Sequence, residues 1–202
     1  MTRPGLSAVI AVLAMSVTAF AGLPQQPAPP APATSLGSGP IVVIETERGT
    51  FEFETYPNEA PKTTAHVLEL VRAHFYDGQR FHRVIPNFVV QAGDPASRDP
   101  ARRDEWGTGG SGKAVGIVEI SKRRTHVRGA VALAHPGDAR LGDSQFYVAL
   151  SPAPRLDGDD TVFGQVIAGL EVVASISAGD RIIRASVKGE KYAPGLSASG
   201  SV

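Results

Sequence analysis

A mainly β protein, folded as a closed antiparallel barrel with two α-helices covering its open ends, is what this sequence predicts. Three observations carry the prediction: seven or eight short strand-like segments spaced by turns, only two segments of helical spacing, and no repeating alternation of strand with helix. Repeated βα units would require a doubly wound parallel sheet, and their absence excludes it. At 202 residues the chain holds one domain of ordinary size with terminal extensions. Its 22 glycines and 16 prolines separate apolar runs that bring the hydrophobic share to 42%, which suits a turn-rich globular fold rather than disorder.

In chain order, residues 1–21 read as a secretory signal peptide. Arg3 supplies the positive start, residues 6–20 the apolar run, and Ala19-Phe20-Ala21 the small-x-small cleavage pattern. The run is shorter than the roughly 20 residues of a membrane span, so retention as an anchor is the weaker alternative. Residues 22–40 are an uncharged Pro/Ala/Gln/Ser tract, a linker. Such a leader implies a periplasmic or secreted product, with no stable membrane insertion after cleavage. The chain has no cysteine, so it carries neither disulfides nor a lipidated thiol, and packing alone must hold the fold.

The domain proper is expected over residues 41–188. Residues 41–46 and 50–54 form a hairpin about Arg48-Gly49, with Phe51 and Phe53 on its apolar face. Pro61 opens a helix over 61–73, marked by Val67, Leu68 and Val71 and stopped at Tyr76-Asp77-Gly78. Residues 81–94 read as two short strands joined by a turn at Pro86-Asn87. Alternation puts Arg83 with Phe81 and Ile85, and Val89 with Gln91. An arginine beside apolar surface has two readings, a snorkelling stem or a charge placed for use. Strand-like runs follow at 115–120, 129–134, 146–150 and 162–167, then helical spacing over 169–177 and alternation again over 181–187. Residues 189–202 are small and polar, a flexible tail.

Acidic and basic residues balance at 20 each, which removes any global field for nucleic acid or anionic membrane. The basic cluster at 122–128 lacks interleaved aromatics and reads as a solvated loop. Residues 107–113 match the spacing of a phosphate-binding loop, but Ala114 stands where a magnesium-binding hydroxyl belongs, and no strand precedes or helix follows. Five histidines, at 66, 74, 82, 126 and 135, show no ligand spacing, so no metal is expected. His82 reads as a hydrogen-bonded core or sheet residue, with His66 and His74 on or near a helix surface. His135 with Asp143 and Ser144 could suggest a hydrolase, yet no nucleophile elbow surrounds Ser144.

The motifs that remain are collinear. Phe81-His-Arg-Val-Ile-Pro-x-Phe-x-x-Gln-x-Gly-Asp94 resembles the signature of the cyclophilins, peptidyl-prolyl cis-trans isomerases. Gly107-Thr-Gly-Gly-Ser, Gly129-Ala-Val-Ala-Leu-Ala134, Ser144-Gln-Phe-Tyr147, Leu156-Asp-Gly158 and Val162-Phe-Gly164 follow in the family's order. The resemblance implies an eight-stranded antiparallel barrel with two capping helices, proline-containing polypeptides as substrates, no cofactor and a monomer. It assigns catalysis to Arg83, Gln91 and Phe88. It assigns substrate contact to Phe81, Val89, Ala134, His135, Gln145, Tyr147, Leu156, Arg155 and Asp160.

Three positions depart from the family pattern. Tyr147 replaces a common phenylalanine and brings a hydroxyl that needs a partner. Arg155 stands where cyclosporin-sensitive members carry tryptophan, and Asp160 where they carry a pocket histidine. The expectation is an isomerase that assists folding of exported proteins and binds cyclosporin weakly. The rival is a proline-peptide binding module or holdase chaperone whose turnover is incidental.

Overall fold

The computed structural model describes residues 39–191. The expected leader and most of the linker, and the tail beyond 191, lie outside the described residues. Among the described residues, eight strands and two α-helices occur in the order β1 (Ile41–Thr46), β2 (Gly49–Thr55), α1 (Pro61–Arg72), β3 (Arg83–Ile85), β4 (Val89–Ala92), β5 (Ala130–Leu133), β6 (Phe146–Ala149), β7 (Val162–Ala168), α2 (Leu170–Ser175) and β8 (Ile182–Val187). All strand pairs are antiparallel, in the spatial order β3-β4-β6-β5-β7-β2-β1-β8.

Strand pairing leaves β3 and β8 as the two outer strands, so the expected closed barrel is observed as a half-barrel. At the seam, residues 79–81 run beside β8, with a single bridge between Arg80 and Arg181. Gly78 N–H donates to the Ile182 carbonyl and Phe81 N–H to that of Asp180, at 2.9 and 3.0 Å. These bonds satisfy edge groups that a bare strand would leave open to other chains.

Alternation explains the interior. Val42, Ile44, Phe51, Phe53, Val90, Val131, Phe146, Val148, Phe163 and Ala185 point inward to one core, with Val67, Leu68 and Val71 of α1 packed against it. Burying each such large apolar side chain is worth about 1.5–3 kcal/mol. A smaller cluster of Tyr56, Val89, Ala130, Ala132, Tyr147, Ala149 and Val162 covers the outer face of the same sheet.

Several boundaries differ from expectation. Gly39 and Pro40, assigned to the linker, are docked on β2 through Gly39 N–H to the Thr55 carbonyl and Thr55 N–H to the Pro40 carbonyl, both at 3.1 Å. Glu190, assigned to the tail, accepts from Nη2 and Nε of Arg72 at 2.7 and 2.9 Å. The apolar run at 115–120 is no strand. Its Glu119 accepts from the N–H groups of Lys62 and Thr63 at 3.0 and 2.8 Å, capping α1 where Ala60 offers no side-chain acceptor. His66, expected near the helix surface, is buried and meets Asp143 at 3.3 Å.

Candidate active site

The strand register sets one row of side chains across the outer face. Arg83 pairs with Gln91 across β3 and β4, Gln91 with Tyr147 across β4 and β6, and Tyr147 with Ala132 across β6 and β5. Directly opposed residues share a face, so four strands deliver Arg83, Gln91, Tyr147 and Ala132 to one surface. Val84, Val90 and Ala92 point the other way, into the main core.

Along this row the side-chain donors run in one direction. Arg83 Nη1 donates to Gln91 Oε1 at 3.0 Å, Gln91 Nε2 donates to Gln145 Oε1 at 2.9 Å, and Gln145 Nε2 donates to the carbonyls of Gly107 and Gly109 at 2.9 and 2.8 Å. Each amide oxygen is taken by the donor before it, which fixes both amide orientations. Only one of the guanidinium's five N–H donors is used in this chain.

The loop that receives these bonds is held from two further sides. Asp94 Oδ2 accepts from Gly107 and Gly109 N–H at 2.6 and 3.1 Å, while Asp143 accepts from the Ser111 hydroxyl and from Gly112 N–H. A Cβ at Gly109 would lie 2.6 Å from Asp94 Oδ1, and one at Gly110 2.5 Å from Asp143 Oδ2, so these glycines let the carboxylates approach the backbone. The loop that resembled a phosphate cradle is thus one wall of a groove, with the N–H groups of Gly107, Gly109 and Gly112 taken by protein carboxylates.

Two adjoining cavities form the groove. One, of about 470 Å³, is lined by Arg83, Phe88, Val89, Gln91, Ala134, His135, Tyr147, Arg155, Leu156 and Asp160, with Gly137 and Asp159. The other, of about 530 Å³, shares Gln91, Ala134 and His135 and extends over Gln145, Asp143, Leu141 and the 107–110 loop. The Phe88 ring is approached by both guanidinium groups, Arg83 at 6.0 Å and Arg155 at 4.1 Å from its centroid. Burial first, and then the neighbouring Asp160 carboxylate, push the Tyr147 hydroxyl far above its ordinary range. Burial also raises Asp160, against the opposing pull of His135 and Tyr147.

Of the twelve residues singled out by sequence, eleven line this groove. Phe81 does not: it lies just before β3, is fully buried and packs in the main core, so strand alternation does not extend back to it. His82 is partly buried, and burial lowers its pKa. Ser144 is fully buried and donates its hydroxyl to the Gly93 carbonyl at 2.7 Å, so it is no nucleophile. Sequence reasoning missed His126, which is buried behind Tyr147. Its Nε2 lies 2.9 Å from the Tyr147 hydroxyl and its Nδ1 2.7 Å from Asp157 Oδ1. The signal was the added hydroxyl, for which a partner had to exist.

An apolar socket with a permanent cation at its rim thus opens into an adjoining cleft. The model of the cyclophilin-type peptidyl-prolyl cis-trans isomerases matches residues 41–190, and the chain belongs to that family. A peptidyl-prolyl cis-trans isomerase B of Bacillus subtilis is 42% identical over 138 residues, 68% of this chain and 90% of that protein. A peptidyl-prolyl cis-trans isomerase of Synechococcus elongatus is 40% identical, covering 72% of this chain and 94% of that one. A crystal structure of a Cryptosporidium parvum cyclophilin determined in the presence of the dipeptide Ala-Pro superposes with a TM-score of 0.65 at 25% identity, over 74% of this chain and 99% of that one. The activity of this chain is therefore peptidyl-prolyl cis-trans isomerisation.

Proposed function

We propose that Arg83 is the electrostatic centre of this isomerase and that the enzyme serves the folding of exported polypeptides. Rotation about an X-Pro bond meets a barrier of about 18–20 kcal/mol because the nitrogen shares its lone pair with the carbonyl. No covalent intermediate is needed. In the twisted state the nitrogen is pyramidal and basic, and a fixed donor gains from it what the planar ground state does not offer. Phe88, Val89, Tyr147 and Leu156 hold the proline ring, Gln91 hydrogen-bonds the substrate backbone, and Ala134, His135 and Gln145 line the path of the preceding residues. Arg155 and Asp160 stand at the rim.

The observation that supports this reading most is the one-way donor chain from Arg83 through Gln91 and Gln145 to the 107–109 loop, which holds the guanidinium in place while sparing its other donors. The test is turnover of a short proline peptide by Arg83→Ala: activity should collapse while the fold persists. Both an enzyme and a binding module with incidental turnover would keep peptide affinity in that variant, but only the binding module would keep its biological effect. Export follows from the signal-like residues 1–21, and the enzyme acts as a monomer in the periplasm or outside the cell. Fractionation with N-terminal sequencing of the mature protein tests that part, and a cytoplasmic, uncut chain would overturn it.

A further inference from the structure

Behind the proline socket lies a hydrogen-bonded set that the reaction as described does not use. His126 is 2% exposed, and its ring lies nearly parallel to that of Tyr147, at 17° with centroids 5.9 Å apart. Asp157 Oδ1 takes both the backbone N–H and Nδ1 of His126, at 2.8 and 2.7 Å. A carboxylate only accepts, so the Nδ1 proton is present, and in the neutral ring Nε2 is a lone pair. The Tyr147 hydroxyl, 2.9 Å from that lone pair, must donate to it, or a fully buried acceptor is left unmade. On the pocket side, Gly137 N–H donates to His135 Nδ1 at 3.2 Å, so the proton of neutral His135 sits on Nε2, 3.3 Å from Asp160 Oδ1. The Tyr147 hydroxyl thus stands between two acceptors, His126 Nε2 behind it and the Asp160 carboxylate on the pocket side; because His135 already supplies Asp160 with a donor and His126 Nε2 has no other, the proton is better placed toward His126.

We propose that His126, fixed by Asp157, is a positioning residue for the isomerase: it acts through the Tyr147 hydroxyl and sets the ring that walls the proline socket. The proposal rests on the reading of that socket given above. Its chemistry is uniform binding, because a ring held against proline is touched in the ground state and in the twisted state alike.

Three readouts test it. In wild-type protein the imidazole ¹⁵N shifts of His126 should report the Nδ1–H tautomer. His126→Phe should lose about tenfold in kcat/KM, carried by KM, whereas Arg83→Ala loses kcat. His126→Gln, whose amide reaches the Nε2 position, should retain most of the activity. In a double-mutant cycle the losses of His126→Phe and Tyr147→Phe should be strongly non-additive, since both remove the same bond. An Nε2–H tautomer, additive losses, or kcat/KM of folded His126→Phe within about twofold of wild type would each overturn the proposal. Should His126→Phe not fold, the tautomer and His126→Gln still decide. Failure of the socket reading itself would show separately, as undiminished turnover in Arg83→Ala.

Discussion

The guanidinium of Arg155 lies 4.1 Å from the centroid of the Phe88 ring, on the flank of the socket where cyclosporin-sensitive relatives of the resembled family present an indole. A cation stacked on this ring covers it but is hydrated on its outer side and offers no indole N–H. The purified domain should therefore resist cyclosporin, and Arg155→Trp should lower the inhibitory concentration by at least about tenfold, or about 1.4 kcal/mol. Nanomolar inhibition of wild type would contradict this.

Gln145 ties the Arg83–Gln91 row to the groove wall, accepting from Gln91 and donating to two loop carbonyls. Gln145→Leu keeps the volume and strands those three partly buried partners, each at less than the about 1–3 kcal/mol of a fully buried group left unpaired. Peptide turnover should fall by about tenfold or more and melting should occur at lower temperature. Turnover equal to wild type would show that the chain does not hold Arg83.

Much of this geometry was legible in the sequence. The turn at Pro86-Asn87 is seen as Asn87 with φ of 58°, a left-handed conformation that asparagine tolerates, and it places Arg83 opposite Gln91. What was not legible is long-range. Phe81 sits two residues before Arg83 yet packs on the opposite side, because the chain there follows β8 across the seam rather than β4. The apolar residues of 115–120 suggested a strand, but their backbone pairs with the 140–142 loop: Val115 N–H donates to the Gly142 carbonyl at 2.8 Å, and Gly116 N–H to that of Arg140 at 3.1 Å. His126 was invisible as a site residue because its partners, Tyr147 and Asp157, lie far along the chain.

Glu119 substitutes for the missing N-cap of α1, from 57 positions away in the case of its bond to Lys62. Glu119→Ala should lower unfolding free energy by about 1 kcal/mol without altering kcat/KM. Urea unfolding with an unchanged m-value checks it. An unchanged midpoint would mean the cap contributes nothing.

Asp160 is raised by burial, so its folded-state pKa lies above the unfolded one. Between those two values the folded state holds the proton and the unfolded state has lost it, so stability falls as pH rises through that window and the cost persists above it. Asp160→Asn should melt at higher temperature than wild type at neutral pH, and the gain should shrink as pH falls through that window and be gone below about 4, the ordinary aspartate value. A lower melting temperature at neutral pH would contradict the sign.

The central claim is that a guanidinium at position 83 stabilises the twisted bond. Proline-peptide isomerisation by wild type, Arg83→Ala and Arg83→Lys, with peptide affinity measured alongside, tests it most directly. Each tenfold in rate is about 1.4 kcal/mol of transition-state stabilisation. Both variants should bind peptide nearly as well as wild type and lose about a hundredfold or more in kcat, lysine rescuing little because it is a point charge without the planar set of donors. Wild-type kcat in a folded Arg83→Ala protein would contradict it.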